Sequence, residues 1–177
     1  VKALPKGSVI FDFGAHSGYF SFVATSTNPE VVIHAFEPSC RADFLSEHLR
    51  LNSIKNVHLH RCAVGKEEAE VKFDGWAVVH NPPNMNSDLP KVGFVKQVCI
   101  DQEIQKGHLP FPDLIKMDIE GAEGDALLGM KEALSKNKPK VFLSLHSEKL
   151  QTDCLKLLKD IGYHYKRIED RKSTRLN

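Results

Sequence analysis

Acidic side chains crowd the end of the apolar run at residues 113–117, where Asp118, Glu120 and Glu123 follow one another closely. Capping of the next helix accounts for one acid, because carboxylates are favoured in a first helical turn, but three acids repel one another. A second apolar run ends in His146. Carboxylates and imidazoles can remove a proton from a reacting group. We therefore predict Asp118, Glu120 and His146 as candidate catalytic bases, with a purely structural histidine as the alternative for His146.

Two glycines mark another candidate site. The run Val9–Phe13 contains Asp12 and has the pattern of a buried strand, and Gly14 and Gly18 follow it before a helical pattern begins. Glycine allows a ligand to approach the backbone closely. The N-terminus of a helix offers unpaired N–H groups to a carboxylate or phosphate. A strand–turn–helix without a ligand is the alternative interpretation.

An acid that lies one helix and one strand further along the chain helps to decide whether this turn binds a ligand. Glu37 ends the apolar run 31–36, and in doubly wound sheets an acid at this place binds ribose hydroxyls. A dinucleotide fingerprint would need a glycine at position 16 and a small residue at position 19, but the chain has His16 and Tyr19. The pattern therefore disfavours a nicotinamide cofactor and suits S-adenosylmethionine better.

The elements that must position these residues alternate in type. Strand patterns cover residues 9–13, 31–37, 57–64, 113–118, 141–146 and 163–168, and helical patterns cover residues 17–27, 39–53, 119–134 and 149–161. This alternation predicts an α/β fold with a doubly wound, mostly parallel sheet, in a single domain over residues 1–177. The tail 169–177 offers few apolar residues for a further strand.

The alternation breaks between residues 66 and 112, which we predict to be an insertion. Residues 69–74 and 94–100 alternate like two strands, which indicates an antiparallel β-ribbon between the third and fourth strands of the main sheet. Residues 76–91 are rich in Asn and Pro and have no period. This segment is either a mobile lid beside the substrate site, with Trp76 at its base, or an ordinary flexible insertion.

Composition limits the classes of protein that fit. The chain has 24 Lys and Arg against 23 Asp and Glu, a net charge of +1, which is unlike the basic footprint of a nucleic-acid binder. No apolar run reaches the roughly 18 residues of a membrane span and no signal peptide precedes Val1. We therefore expect a soluble, cytoplasmic protein with no membrane partner. The oligomeric state stays open.

Cysteine and histidine spacing does not predict a metal site. Four cysteines are scattered without a Cys-x-x-Cys pair, so we expect reduced and mostly buried thiols. His58 and His60 share one face of a predicted strand, but no Cys or Asp lies near them in sequence. We interpret them as a solvated or hydrogen-bonded pair.

The chain resembles the FkbM-type family of S-adenosylmethionine-dependent methyltransferases, a branch of the class I methyltransferase fold. The stretch from Leu114 to Glu123 is the most specific match. The other matching segments are residues 11–21, 35–38, 51–52, 62–65, 128–129 and 143–146.

The resemblance implies a methyl donor that lies across the ends of the first two strands. The residues that it implies for cofactor binding are Asp12 near the ammonium, Gly14, Ala15, His16 and Gly18 under the methionine half, Glu37 at the ribose, Cys62 and Ala63 at the adenine, and Asp118. The implied reaction is O-methylation of a hydroxyl on a sugar or natural-product-type small molecule. Asp118, Glu120 or His146 would then remove the hydroxyl proton.

Two alternatives belong to other classes. The first is a methyltransferase that acts on RNA or protein nitrogen, which often carries an Asn/Asp-Pro-Pro-Tyr-like turn after the fourth strand. This chain has Asp118-Ile119-Glu120-Gly121 there, and its Asn81-Pro82-Pro83-Asn84 follows no fourth-strand pattern. The second is a non-catalytic module with a degenerate methyltransferase fold, against which the acids at 118 and 120 argue.

Overall fold

The structure is a computed structural model, and it describes residues 1–75, 77–78 and 93–168. In chain order the elements are β1 (Val9–Phe13), α1 (Tyr19–Thr27), β2 (Val32–Phe36), α2 (Arg41–Leu51), β3 (Val57–His60), β4 (Ala63–Val64), β5 (Ala69–Phe73), β6 (Gly93–Val98), α3 (Ile100–Gln105), β7 (Leu114–Met117), α4 (Glu123–Leu128), α5 (Lys131–Asn137), β8 (Lys140–Leu143) and α6 (Glu148–Asp160).

Five strands form the main sheet in the order β3-β2-β1-β7-β8, and every neighbouring pair is parallel. The mostly parallel α/β sheet predicted from the sequence is thus confirmed. The chain adds β2 and β3 on one side of β1 and later adds β7 and β8 on the other side. This reversal point is where a doubly wound sheet opens a crevice at the carboxyl ends of its strands.

Alternating side chains of the strands feed two apolar clusters. Phe11 and Phe13 belong to one cluster together with buried residues of α3, α4, α5 and α6. Ile10 and Ile33 belong to the other, with buried residues of α1 and α2. The period of two in each strand therefore divides the helices between the two faces of the sheet. Both clusters hold the strand ends in fixed positions.

A smaller sheet of order β4-β6-β5 lies beside the main one. β5 and β6 are antiparallel and correspond to the predicted ribbon, whereas β4 pairs with β6 in parallel. The predicted strand 57–64 is therefore two strands that belong to different sheets. Trp76 and residues 79–92, which include most of the predicted lid, lie outside the described residues.

Close backbone packing joins the small sheet to the main body. A Cβ atom added to Gly129 would lie 2.0 Å from the carbonyl oxygen of Gly65. The Gly129 carbonyl also accepts the backbone N–H of Asp101 at 2.9 Å. Two glycines of the family-like segments thus meet each other, and a larger residue at position 129 would separate them.

Helix boundaries differ from the prediction around α3 and α5. The predicted strand 94–100 ends at Val98, and the helix α3 follows it. The predicted helix 119–134 is two helices, because both oxygens of the Asp101 carboxylate accept backbone N–H groups at the start of α5, those of Glu132 and Ala133. A cap supplied from a distant part of the chain cannot be recognised from local periodicity.

The predicted sixth strand at residues 163–168 is wrong, since these residues form no strand. Only Tyr163 is partly buried in this segment, and its hydroxyl contacts the carbonyl oxygens of Leu134 and Pro139. The other side chains of this segment are exposed, so the described part of the chain does not cover them. The tail 169–177 lies outside the described residues.

Candidate functional site

A cavity of about 340 Å³ opens at the carboxyl ends of β1, β2 and β7, and the small sheet forms part of its wall. Its volume lies within the usual range for small-molecule sites, about 300–1,000 Å³. The described lining residues are Gly14, Ala15, His16, Tyr19, Phe20, Phe36, Glu37, Pro38, Arg41, Cys62, Ala63, Val64, Phe73, Val78, Lys116, Asp118, Ile119, Glu120 and Ala122.

Gly14 brings the end of β1 into contact with the end of β7. Its φ is +74°, and a Cβ there would lie 2.0 Å from the carbonyl oxygen of Asp118. Gly18 has a φ of +96°, and its Cβ would lie 2.4 Å from a methyl group of Leu45. The sequence analysis attributed both glycines to the approach of a ligand. In the structure their missing side chains make room for protein atoms, and Gly18 is not among the described lining residues.

Glu37 is a buried carboxylate that lines the cavity, with 6% of its surface exposed. One oxygen accepts the His16 backbone N–H at 2.8 Å. The other accepts the backbone N–H of Ser39 at 3.0 Å and the Ser39 hydroxyl. A carboxylate has about four acceptor positions, so acceptor capacity remains for a ligand. These bonds fix the carboxylate before any ligand arrives.

Asp12 is paired with other side chains of the protein. It is fully buried and does not line the cavity. Ser21 donates to one of its oxygens at 2.8 Å, and the Lys116 ammonium lies 3.2 Å from the other. That second oxygen has an ion pair but no well-aligned hydrogen bond within the described residues. Burial raises the pKa of Asp12, and Lys116 opposes this shift. Asp12 thus lies outside the described lining of the cavity, and its predicted place near the ligand's ammonium stays a prediction.

Lys116 is a functional candidate that the sequence analysis missed. Besides its contact with Asp12, its ammonium donates to the carbonyl oxygens of Phe13 at 3.2 Å and Gly14 at 2.8 Å. The register pairs Lys116 directly with Asp12 across β7 and β1. A lysine inside an otherwise apolar strand was the available signal. Its three donors hold the turn that borders the cavity.

The three candidate bases come together on the opposite side of the cavity. Nε2 of His146 lies 3.0 Å from Oδ1 of Asp118 and 3.9 Å from Oε2 of Glu120. The hydrogen bond with Asp118 is the main cause that raises the pKa of His146, and nearby acids add to it. Asp118 and Glu120 line the cavity, and His146 adjoins them from the loop after β8. All three side chains are 39–49% exposed.

Glu123 shapes the loop that carries the two acids. It is fully buried, and its two oxygens accept the backbone N–H groups of Ile119 at 3.1 Å and Gly121 at 3.0 Å. Glu120, between them, has a φ of +54°, a conformation that costs free energy for a non-glycine residue. Glu123 is the first residue of α4, so its predicted place in the first helical turn is confirmed, and its carboxylate in addition clamps the turn before the helix.

Cys62 and Ala63 line the side of the cavity next to the small sheet. Burial raises the pKa of the Cys62 thiol to about 11, so this group acts as an apolar contact and not as a nucleophile. Arg41 lines the same region and donates to the Gly75 carbonyl at 2.7 Å, which joins α2 to the small sheet. All four cysteines are free, and three of them are buried.

The histidines of β3 lie outside the cavity lining. Nε2 of His60 is 2.9 Å from Nδ1 of His34, and the two rings stack, whereas His58 is exposed. Burial and the neighbouring histidines lower the pKa of His34 to about 4. The predicted hydrogen-bonded pair thus involves His34 on the next strand as the partner of His60.

Residues 12–165 match the model of the methyltransferase FkbM domain. The chain belongs to this family. Its match covers the turn from Gly14 to Gly18, Glu37, both acids after β7 and His146. The predicted membership of the FkbM family is therefore confirmed.

Curated relatives of this FkbM domain are distant. Methyltransferase 1 of Beauveria bassiana is 24% identical over 75% of this chain and 62% of its own. The 2-O-methyltransferase NoeI of Sinorhizobium fredii is 26% identical over 73% of this chain and 60% of its own. Hexuronic acid methyltransferase AglP of Haloferax volcanii is 24% identical over 88% and 63%. The chain thus spans less than two thirds of the length of these relatives.

Solved structures agree on the fold. The methyltransferase FkbM from Methylobacillus flagellatus KT superposes with a TM-score of 0.68 at 24% identity, over 88% of this chain and 37% of the other. The precorrin-6y C5,15-methyltransferase from Geobacter metallireducens superposes with a TM-score of 0.57 at 17% identity, over 91% and 66%. Within the described ranges, no helix combines the length and the apolar character that crossing a membrane requires.

Proposed function

We propose that this FkbM domain transfers the methyl group of S-adenosylmethionine to a hydroxyl group of a small molecule of the sugar or natural-product type. The observation that carries the proposal is one cavity with a fixed, buried carboxylate, Glu37, on one side and the group Asp118, Glu120 and His146 on the other. The names of NoeI and AglP, a 2-O-methyltransferase and a hexuronic acid methyltransferase, support this class of acceptor.

The residues that line the cavity fit this donor. Glu37 would accept a ribose hydroxyl at its remaining acceptor position, and Cys62 and Ala63 would border the adenine. Helix α1 begins at the cavity with Tyr19 and Phe20, and no side chain of the described residues caps it. Its first N–H groups would therefore bind the donor's carboxylate. When bound, S-adenosylmethionine supplies a methyl group that its sulfonium already activates.

The task left to the protein is to align the hydroxyl and to receive its proton. Asp118 and Glu120 face the cavity, and Asp118 shares a hydrogen bond with His146. We assign proton removal to this group, with Asp118 next to the hydroxyl. His146 would share the proton with Asp118 and pass it on to solvent, to which 44% of the His146 side chain is exposed.

Calorimetric titration of the whole chain with S-adenosylmethionine and S-adenosylhomocysteine tests donor binding. Glu37→Gln is expected to weaken both affinities about tenfold or more, because a hydrogen bond to a charged group contributes about 1.5–3 kcal/mol. Glu30→Gln is the matched control, since Glu30 is an exposed acid paired with Lys6. No binding of either ligand to the unaltered chain would remove the basis of the proposal.

Transfer of a labelled methyl group to a panel of sugars and hydroxylated small molecules tests the acceptor class. Asp118→Asn is expected to reduce this transfer by about 10²–10⁴-fold, the usual contribution of acid–base catalysis. Methylation of RNA or protein nitrogen by the same preparation, with no labelled hydroxyl product, would replace this acceptor class by the alternative one.

A further inference from the structure

We propose that Asp118, Glu120 and His146 form a binding site for a divalent transition-metal ion at the acceptor side of the cavity. The inference rests on the proposed function only for the place of the acceptor hydroxyl, because metal binding itself needs no methyl donor. Local spacing could not predict this site, since the three ligands come from two loops that lie far apart in sequence.

The three side chains offer a mixed set of ligand atoms. One atom of each, an oxygen of either carboxylate and a nitrogen of the imidazole, lies within 4.8 Å of the other two. Ligands around one ion at about 2.1 Å lie roughly 3.0–3.4 Å apart in octahedral or tetrahedral geometry. Two of the distances, 3.0 Å and 3.9 Å, are already close to this range. Small rotations of exposed side chains would complete the set.

The charge of this region also favours a cation. Of the basic side chains in the described part of the chain, only His146 lies within 4 Å of either carboxylate. Lys116, the lysine on the adjoining strand, already holds Asp12 and two backbone carbonyl oxygens. Two carboxylates on one loop therefore share a single imidazole, and an ion of charge +2 would neutralise both.

The loop geometry presents the carboxylates in a fixed direction. Buried Glu123 holds the backbone on both sides of Glu120 through the N–H groups of Ile119 and Gly121. The first-row ions Mn²⁺, Co²⁺ and Zn²⁺ accept both carboxylate and imidazole ligands. Three protein ligands would leave coordination positions open toward the cavity, where a hydroxyl oxygen could bind and become more acidic. The second oxygen of the Asp118 carboxylate would then receive the proton.

Titration with Mn²⁺, followed by electron paramagnetic resonance, tests the site directly. The unaltered chain is expected to bind one Mn²⁺, and Asp118→Asn, Glu120→Gln and His146→Gln are each expected to weaken binding at least about tenfold. Glu148→Gln, an exposed acid two residues after His146 and outside the ligand group, is expected to leave the affinity unchanged. Circular dichroism of each variant checks that the fold is intact.

A second readout is the pH dependence of Mn²⁺ affinity. An imidazole nitrogen binds a metal ion only after it has lost its proton. Metal binding must displace this proton, so the affinity of the unaltered chain should increase as pH rises through the pKa of His146. His146→Gln should remove that dependence.

Two results would overturn the site. One is no saturable binding up to about 1 mM Mn²⁺, the weak end of sites with oxygen ligands, and the other is an affinity of all three variants equal to that of the unaltered chain. Repeating the titration with S-adenosylhomocysteine separates the two proposals. If the unaltered chain binds Mn²⁺ but not S-adenosylhomocysteine, the methyl-donor proposal alone is refuted. If it binds S-adenosylhomocysteine but not Mn²⁺, the metal site alone is refuted.

Discussion

The two sides of the cavity are built on different principles. On the side of β1 and β2, Glu37 is buried and accepts three hydrogen bonds, and Lys116 pairs with a fully buried Asp12. On the side of β7 and β8, the three candidate bases are exposed and make few contacts. A fixed carboxylate suits a ligand that must always bind in the same place, because preorganisation reduces the entropy cost of binding. An open side suits an acceptor that must enter and leave.

This contrast predicts that substitutions on the first side change stability, and that those on the second side change only the chemistry. We rank the expected effects by the free energy of unfolding, from the largest to the smallest. Each is measured by urea denaturation unless another method is named.

Lys116→Met should cost about 3 kcal/mol, because it leaves the Asp12 carboxylate buried without its cation. The Asp12 carboxyl group should then have a pKa still further above 3.8 in the folded state. The contribution of the Asp12 carboxyl group to the free energy of unfolding is therefore fully present below pH 3.8. It is lost as pH rises through the folded-state pKa of this group. The double variant Asp12→Asn/Lys116→Met should regain part of the loss. A cost below about 1 kcal/mol for Lys116→Met would show that the Asp12–Lys116 pair contributes little to the stability of the side formed by β1 and β2.

Gly14→Ala should cost about 2–3 kcal/mol, since it combines a strained positive φ with a collision against the Asp118 carbonyl. Gly7→Ala is the matched control. Gly7 has a φ of +78°, and within the described residues no atom lies within 4 Å of its added Cβ. The control should therefore show the conformational strain alone, about 1 kcal/mol. Equal costs at both positions would mean that the contact with Asp118 can relax.

Asp118→Asn and His146→Gln should change the free energy of unfolding by no more than about 0.5 kcal/mol, as exposed substitutions usually do. Both should nevertheless reduce methyl transfer to a hydroxyl acceptor by at least about tenfold. Losses of stability as large as that of Gly14→Ala would contradict the view of an open acceptor side.

The smallest expected effect is the pH dependence due to His146. Its pKa should lie above 6.5 in the folded chain and should fall toward 6.5 in Asp118→Asn, because the hydrogen bond to Asp118 is the main cause of the shift. Stability from this group is fully present below pH 6.5 and is lost as pH rises through the folded-state pKa. Titration of the imidazole by nuclear magnetic resonance measures both values. An unchanged pKa in the variant would assign the shift to other groups.

The sequence predicted those features that depend on short segments. Strand periodicity placed Gly14, Glu37 and Asp118 at the ends of three strands, and parallel pairing then brought all three to one edge of the sheet. Lys116 could not be assigned in the same way, because its contact with Asp12 depends on the register between β1 and β7, which lie about a hundred residues apart.

The errors share a physical cause. Helix α3 is only six residues long, too short for a clear helical period, and it begins directly after a strand. The break between α4 and α5 depends on a carboxylate of that helix, Asp101. Residues 163–168 alternate like a strand, but among the residues that the structure describes nothing covers them beyond Tyr163. In each case tertiary contacts overrode the local pattern.

The contact between Gly14 and the Asp118 carbonyl has a consequence for how this domain could change its substrate. Because backbone atoms meet there without an intervening side chain, the end of β1 is held at a fixed distance from the end of β7, and the proposed donor site and the two carboxylates would keep that spacing whichever acceptor binds. Evolution or design toward a bulkier acceptor would therefore have to reshape the loop that carries His146. Widening the cavity on the side of β1 and β2 would also move the proposed donor site.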